Sequence, residues 1–286
     1  MTDLGVLLTA IVTPFDEQLR VDEDAFVSLM AHLAANGSDG FVVCGTTGEA
    51  STLTDDEQIA LVELAVRERP EGASIIAGTS SNDTRHAVSL TERACAAGVD
   101  AVLSATPYYN RPNRRGMLAH FGAVAAASST PVILYNIPQR TGTDMPNDLL
   151  AELAQIERLD YVKQSNAANL APVDGLGVYA GDDTLFAQTL DMGECGGILV
   201  SSHVVGVQMH RMIDEPENRA AIDESLRDVY ATLFMTASPT CTKAALDMLG
   251  HRVGSLRLPM VEADEVEREA VRAMLERHNL LGHVTA

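Results

Sequence analysis

The chain has 286 residues, 46% hydrophobic and 21% charged, enough apolar material to bury one α/β barrel or two ordinary domains. Its formal charge of −20 argues against nucleic acid or an anionic membrane as partner, because phosphate binding needs a basic surface. Aromatics make up 4% and tryptophan is absent, which argues against a platform for stacking bases or carbohydrate rings.

Met1-Thr2-Asp3 opens without the basic and apolar regions of a signal peptide. No apolar run approaches the length of a membrane span, so a cytoplasmic protein is expected. Short β-branched, apolar runs then recur. They predict strands at Val6–Val12, Gly40–Cys44, Ser74–Gly78, Ala101–Ala105, Pro131–Tyr135, Tyr161–Gln164, Gly177–Ala180 and Gly197–Val200. Helical periodicity falls between them, at about 22–36, 54–68, 84–97, 115–128, 146–156, 184–192 and 204–213, with a shorter segment around Ala167–Asp174. Thr54-Asp55-Asp56-Glu57 reads as a capping box, and Asn82 and Asp83 precede the helix starting near Thr84. Eight strands alternating with helices predict an α/β fold, a (β/α)8 TIM barrel over residues 1–215, rather than a doubly wound sheet of about six strands. From residue 216 to 286 the pattern changes: Glu217–Phe234, Pro239–Leu249 and Ala263–Leu280 are helical with no strand between them. They predict a C-terminal helical region packed on the barrel.

Metal ligation is not expected. The four cysteines, Cys44, Cys95, Cys195 and Cys241, form no CxxC pair, and the eight histidines show no ligand spacing. They read as buried thiols of a reducing compartment and as solvated or core imidazoles. Asp182-Asp183 reads as a helix cap rather than half of a metal site.

Only two of the twenty basic side chains are lysines, Lys163 and Lys243. Lys163 lies inside the apolar run Tyr161-Val162-Lys163-Gln164-Ser165, where an ammonium is costly to bury. An amine, unlike a guanidinium, can lose its proton and attack a carbonyl. At an ordinary pKa of about 10.4 only roughly one lysine in 2,500 is neutral at pH 7, and desolvation would raise that fraction by orders of magnitude. An imine-forming lysine is therefore the leading reading, against a buried ion pair or a lysine reaching out from a strand end.

Functional groups of a parallel barrel gather at the C-terminal ends of its strands, and three more motifs fall there. Gly45-Thr46-Thr47-Gly48-Glu49 follows the second strand, and its backbone N–H groups and hydroxyls can bind a carboxylate. It is not a nucleotide loop, since no GK[ST] follows. Thr106-Pro107-Tyr108-Tyr109-Asn110-Arg111-Pro112 follows the fourth strand, and Tyr135-Asn136-Ile137-Pro138-Gln139-Arg140-Thr141-Gly142 ends the fifth.

In that order and at those spacings the motifs resemble the dihydrodipicolinate synthase branch of the pyruvate-dependent class I aldolases. The resemblance runs from Thr13-Pro14-Phe15 to Lys243-Ala244-Ala245-Leu246 and Leu258-Pro259. It implies a Schiff base between Lys163 and pyruvate, whose enamine attacks the aldehyde of L-aspartate 4-semialdehyde on the route to diaminopimelate and lysine, with no cofactor. By the same resemblance Tyr135 relays protons, and Thr46 links it to Tyr109, which reaches in from a neighbouring subunit. Thr46 and Thr47 hold the pyruvate carboxylate, Gly181 and Ile198 contact pyruvate or shape the lysine pocket, and Arg140 takes the carboxylate of the acceptor. A homotetramer built as a dimer of dimers is implied as well.

Two positions depart from the family pattern. Gln164 follows the lysine where an acid is common, and Gly196–His203 is an unusual version of the last strand motif. They leave open a sugar-acid aldolase, an N-acetylneuraminate lyase-like enzyme or a keto-acid dehydratase built on the same imine. Arg140 favours the first assignment. A barrel kept as a small-ligand sensor would lack covalent chemistry altogether. At the family's lysine-feedback site Tyr108 and Asn82 match, while Ala50, Asp55, Gln58 and His86 replace the residues of lysine-sensitive relatives. Free L-lysine is expected to inhibit weakly or not at all.

Overall fold

A computed structural model describes residues 2–282. Eight parallel strands close in sequence order into a barrel, β1 pairing with both β2 and β8. They are β1 (Leu7–Ala10), β2 (Gly40–Val43), β3 (Ser74–Gly78), β4 (Ala101–Ala105), β5 (Val132–Asn136), β6 (Leu159–Gln164), β7 (Gly177–Ala180) and β8 (Gly196–Leu199). Around them run α1 (Glu23–Ala35), α2 (Asp55–Arg67), α3 (Thr84–Ala97), α4 (Arg114–Ala127), α5 (Pro138–Thr141), α6 (Asn147–Leu153), α7 (Phe186–Asp191) and α8 (Ser202–Asp214). The TIM barrel expected from the sequence is the fold observed. The remaining helices, α9 (Arg219–Leu233), α10 (Thr240–Met248) and α11 (Glu265–Arg277), pack on α8 and on one another.

Strand alternation sorts the apolar side chains into two layers. Leu8, Val42, Ile76, Leu103, Ile133 and Ile198 fill the barrel interior, while a larger set between strands and helices forms the outer core. The N-terminal end of the barrel is closed by the chain's own first residues. Leu4 is buried there, the Tyr161 hydroxyl donates to the Thr2 carbonyl, and the Tyr179 hydroxyl donates to the Gly5 carbonyl at 3.0 Å.

The caps lie where the sequence puts them: Thr54 and Glu57 complete a reciprocal box on α2, and Asp83 accepts from the Arg85 N–H to start α3. Two crossovers differ from expectation. Between β6 and β7 the segment around Ala167–Asp174 makes only a 3-10 turn, Ala167–Asn169, because Pro172 and Gly175 (φ 87°) leave too few residues for an α-helix. After β5 an unpredicted one-turn helix, α5, starts on Pro138 and stops on Gly142 (φ 71°). It carries Arg140.

His203 at the start of α8 is buried, and its two ring nitrogens are fixed by different partners. Nε2 accepts from the Val12 N–H at 3.2 Å, so Nδ1 carries the proton that goes to the Val200 carbonyl at 2.7 Å. Burial pushes its pKa down to about 4. An unfolded histidine titrates near 6.5, so the neutral ring supports the fold above that pH and the support is lost as pH falls from 6.5 towards 4. The urea midpoint should drop across this window, by up to about 3 kcal/mol of stability. His203→Gln should flatten that pH dependence; an unaltered slope would assign it to other groups.

Candidate active site

The register of β5 on β6 sets Tyr135 directly beside Lys163, and both side chains enter the barrel near its C-terminal end. Lys163 is only 6% exposed, with Nζ 4.4 Å from the centroid of the Tyr135 ring. Among the described residues no carboxylate forms an ion pair with it, so the paired and outward-reaching alternatives both fall away. Burial lowers its pKa to about 8; the Asp183 and Asp182 charges oppose this and that of Arg140 assists. At pH 7 about one molecule in ten then carries the free amine. Burial also raises the Tyr135 phenol to about 12, which keeps it a proton donor at neutral pH.

A cavity of about 210 Å³ opens over this pair, with Thr46, Thr47, Tyr135, Arg140, Lys163 and Gly181 in its wall. Thr46 is exposed and Thr47 buried, and both line the cavity. Gly181 is required sterically: a Cβ there would stand 2.2 Å from Ser165 Oγ and 3.0 Å from Lys163 Cγ. The Arg140 side chain has no hydrogen-bond or ion-pair partner among the described residues, which leaves its fork free for a carboxylate. An adjoining cavity of about 520 Å³ shares Thr46, Tyr135 and Arg140 and extends to Asp55, Gln58, His86 and Tyr108.

Two expected site residues are not in the cavity wall. Ile198 is fully buried in the barrel interior. Tyr109 is 90% exposed and does not meet Thr46 or Tyr135 within one chain.

Other groups come to the site unannounced. Asp182 makes the cap, accepting from the Thr184 N–H at 2.9 Å, but Asp183 does not. Asp183 is buried, accepts from the Ser201 N–H at 2.7 Å, and so ties the end of β7 to the end of β8 beside Lys163. Burial raises its pKa to about 6. Strand alternation from Lys163 would have found Ser165, which lines the cavity. Phe234 and Ser238 also line it, from the loop after α9, and nothing local in sequence links them to the barrel mouth. Gln164, the departure from the family pattern, faces away. Its Oε1 accepts from Asn136 Nδ2 at 3.0 Å and from the Asn166 N–H at 2.9 Å, in an amide network around Asp144.

A model of the dihydrodipicolinate synthetase family matches residues 3–278. The 4-hydroxy-tetrahydrodipicolinate synthase of Heliobacterium modesticaldum is 42% identical, with 97% of each chain covered. Among solved structures, a dihydrodipicolinate synthase from Bacillus anthracis superposes with a TM-score of 0.92 at 37% identity, covering 96% of this chain and 99% of that one. The chloride-inhibited synthase of Acinetobacter baumannii, complexed with pyruvate, does so with a TM-score of 0.92 at 31% identity, covering 97% and 99%.

Proposed function

Because the chain belongs to the dihydrodipicolinate synthetase family, we propose that it is the lyase joining pyruvate, held as a Schiff base on Lys163, to L-aspartate 4-semialdehyde in diaminopimelate and lysine biosynthesis. The observation that carries the reading is a buried barrel lysine with no counter-ion among the described residues, stacked on a protonated phenol, under a cavity that Arg140, without a partner among those residues, helps to line.

The neutral Lys163 amine adds to the pyruvate carbonyl carbon while Thr46 and Thr47 hold the carboxylate. Tyr135 supplies a proton as the carbinolamine oxygen leaves as water, and recovers one when the C3 carbon is deprotonated to the enamine. That carbon then attacks the aldehyde of the acceptor, whose carboxylate is clamped by Arg140. Ring closure by the acceptor's amino group displaces the lysine. The imine is the electron sink, so the sequence of steps calls for no metal or cofactor.

The exposure of Tyr109 supports a site completed by a neighbouring subunit, in a tetramer made as a dimer of dimers. We assign residues 1–215 to the catalytic barrel, 216–286 to the helical region, and the protein to the cytoplasm. Weak control by L-lysine is supported by the adjoining cavity. There His86 Nε2 lies 2.9 Å from Asp55 Oδ1 and Nδ1 lies 3.0 Å from Ser81 Oγ, so these groups are engaged with one another. Half-inhibition by L-lysine below about a millimolar would contradict this.

Borohydride reduction in the presence of pyruvate tests the chemistry. The Lys163 peptide should gain the mass of one reduced pyruvate, and an unmodified peptide would point to a sensor instead. Activity on 2-keto-3-deoxy-sugar acids without activity on aspartate semialdehyde would keep the imine and change the acceptor.

A further inference from the structure

The second lysine is as deeply buried as the first, but it is paired. Lys243 on α10 and Glu49, the last residue of the GTTGE turn, have side chains 2% and 1% exposed, with Nζ 2.7 Å from Oε1. Lys243 also donates to the Ser255 carbonyl at 2.8 Å and lies 4.3 Å from the centroid of the Phe15 ring. The other Glu49 oxygen accepts from the Arg257 N–H at 3.0 Å. Both partners of Glu49 thus come from the C-terminal helical region. Taking two charges out of water costs about as much as their attraction returns, so a pair at this depth adds little to stability. Its placement needs another reason.

What the pair fixes is the turn. Glu49 holds a left-handed φ of 56°, which its neighbours must enforce. Its N–H donates to the Thr46 carbonyl at 3.1 Å, and the Ala50 N–H to the Gly45 carbonyl at 3.3 Å. From the barrel side the Thr13 hydroxyl donates to the Gly48 carbonyl at 2.7 Å. The Thr46-Thr47 segment is therefore gripped from β1's extension on one side and from α10 and the irregular 253–257 segment on the other.

We infer that Glu49 and Lys243 are positioning residues for the oxoacid: through them the C-terminal helical region presets the turn that receives the pyruvate carboxylate. This rests on the function proposed above. A loosened turn would weaken pyruvate binding in the ground state and the transition state alike, which raises KM and spares kcat. A merely structural role would lower the amount of active protein and leave KM alone.

Lys243→Met should raise the half-saturating pyruvate concentration about tenfold or more, in turnover and in borohydride trapping, with kcat at saturation within about threefold. Lys243→Arg should recover most of the affinity. Glu49→Gln keeps the side-chain shape and the acceptor for the Arg257 N–H, and provides the same reading should Lys243→Met fold poorly. The double variant Glu49→Leu with Lys243→Met removes both charges and should regain stability while KM stays high. A KM that returns to the wild-type value in the double variant, or never moves in the single ones, overturns the inference. Wild-type protein that traps no pyruvate overturns the proposed function and this inference with it; normal wild-type trapping with unmoved variants overturns the inference alone.

Discussion

Replacing Lys163 by alanine or arginine should lower kcat by about 10⁴-fold or more, since neither residue can form the imine that carries every later step. Circular dichroism and the cavity geometry should be unchanged. A less obvious result is expected from Lys163→Met. Burial depresses the amine to about 8, against an ordinary value of 10.5. Below about pH 8 the lysine is charged in both states, and the folded protein bears the full cost of burying it. Between about 8 and 10.5 the unfolded chain holds a proton that the folded one has lost, so stability rises with pH through that window and the cost is gone above it. Lys163→Met should therefore be inactive yet more stable at pH 7, by up to about 3 kcal/mol, with a flatter alkaline dependence in urea titrations. An inactive variant that is also less stable would show the lysine to be part of the packing rather than a cost retained for chemistry. In the wild type, the rate of imine trapping should climb with pH and level off near the amine's pKa of about 8.

Arg140→Ala should separate the two substrates. Loss of a bidentate, charge-assisted carboxylate clamp should lower kcat/KM for aspartate semialdehyde by about 10²-fold. Pyruvate trapping on Lys163 should survive. Because the Arg140 charge disfavours the nearby ammonium, removing it should also move the pH limb of trapping upward. Arg140→Lys would keep the charge and lose the fork, so it should hold the limb in place while remaining poor with the acceptor. Unchanged acceptor kinetics in Arg140→Ala would transfer the clamp to another group and reopen the sugar-acid reading.

Much of this site is legible without coordinates because a barrel turns sequence order into spatial order. The GTTGE turn, the β5 tyrosine and the β6 lysine each end a strand, and parallel strands bring those ends to one face. What sequence periodicity misses is whatever depends on distant partners. Asp183 looks like the second half of a cap, yet its carboxylate is spent on the Ser201 N–H, just past the next strand. Glu49 looks like the polar end of a loop, although its partners lie about two hundred residues away in α10 and beside it. Phe234 and Ser238 reach the mouth from a region whose helical periodicity reports only on its own packing face. Tyr109 is the converse case: the motif marks it, and a single chain leaves it exposed.

The closed lower end of the barrel has a kinetic meaning. With Leu4 lodged there and two tyrosine hydroxyls tied to the backbone of Thr2 and Gly5, the described residues stop up that end of the barrel. In the proposed reaction both reactants would enter and the product depart at the C-terminal mouth, where Lys163 lines the cavity. The oxoacid must already be an enamine before the aldehyde can react, and a shared entrance reinforces the order that the chemistry imposes. An acceptor that arrives early blocks the corridor instead of waiting in it.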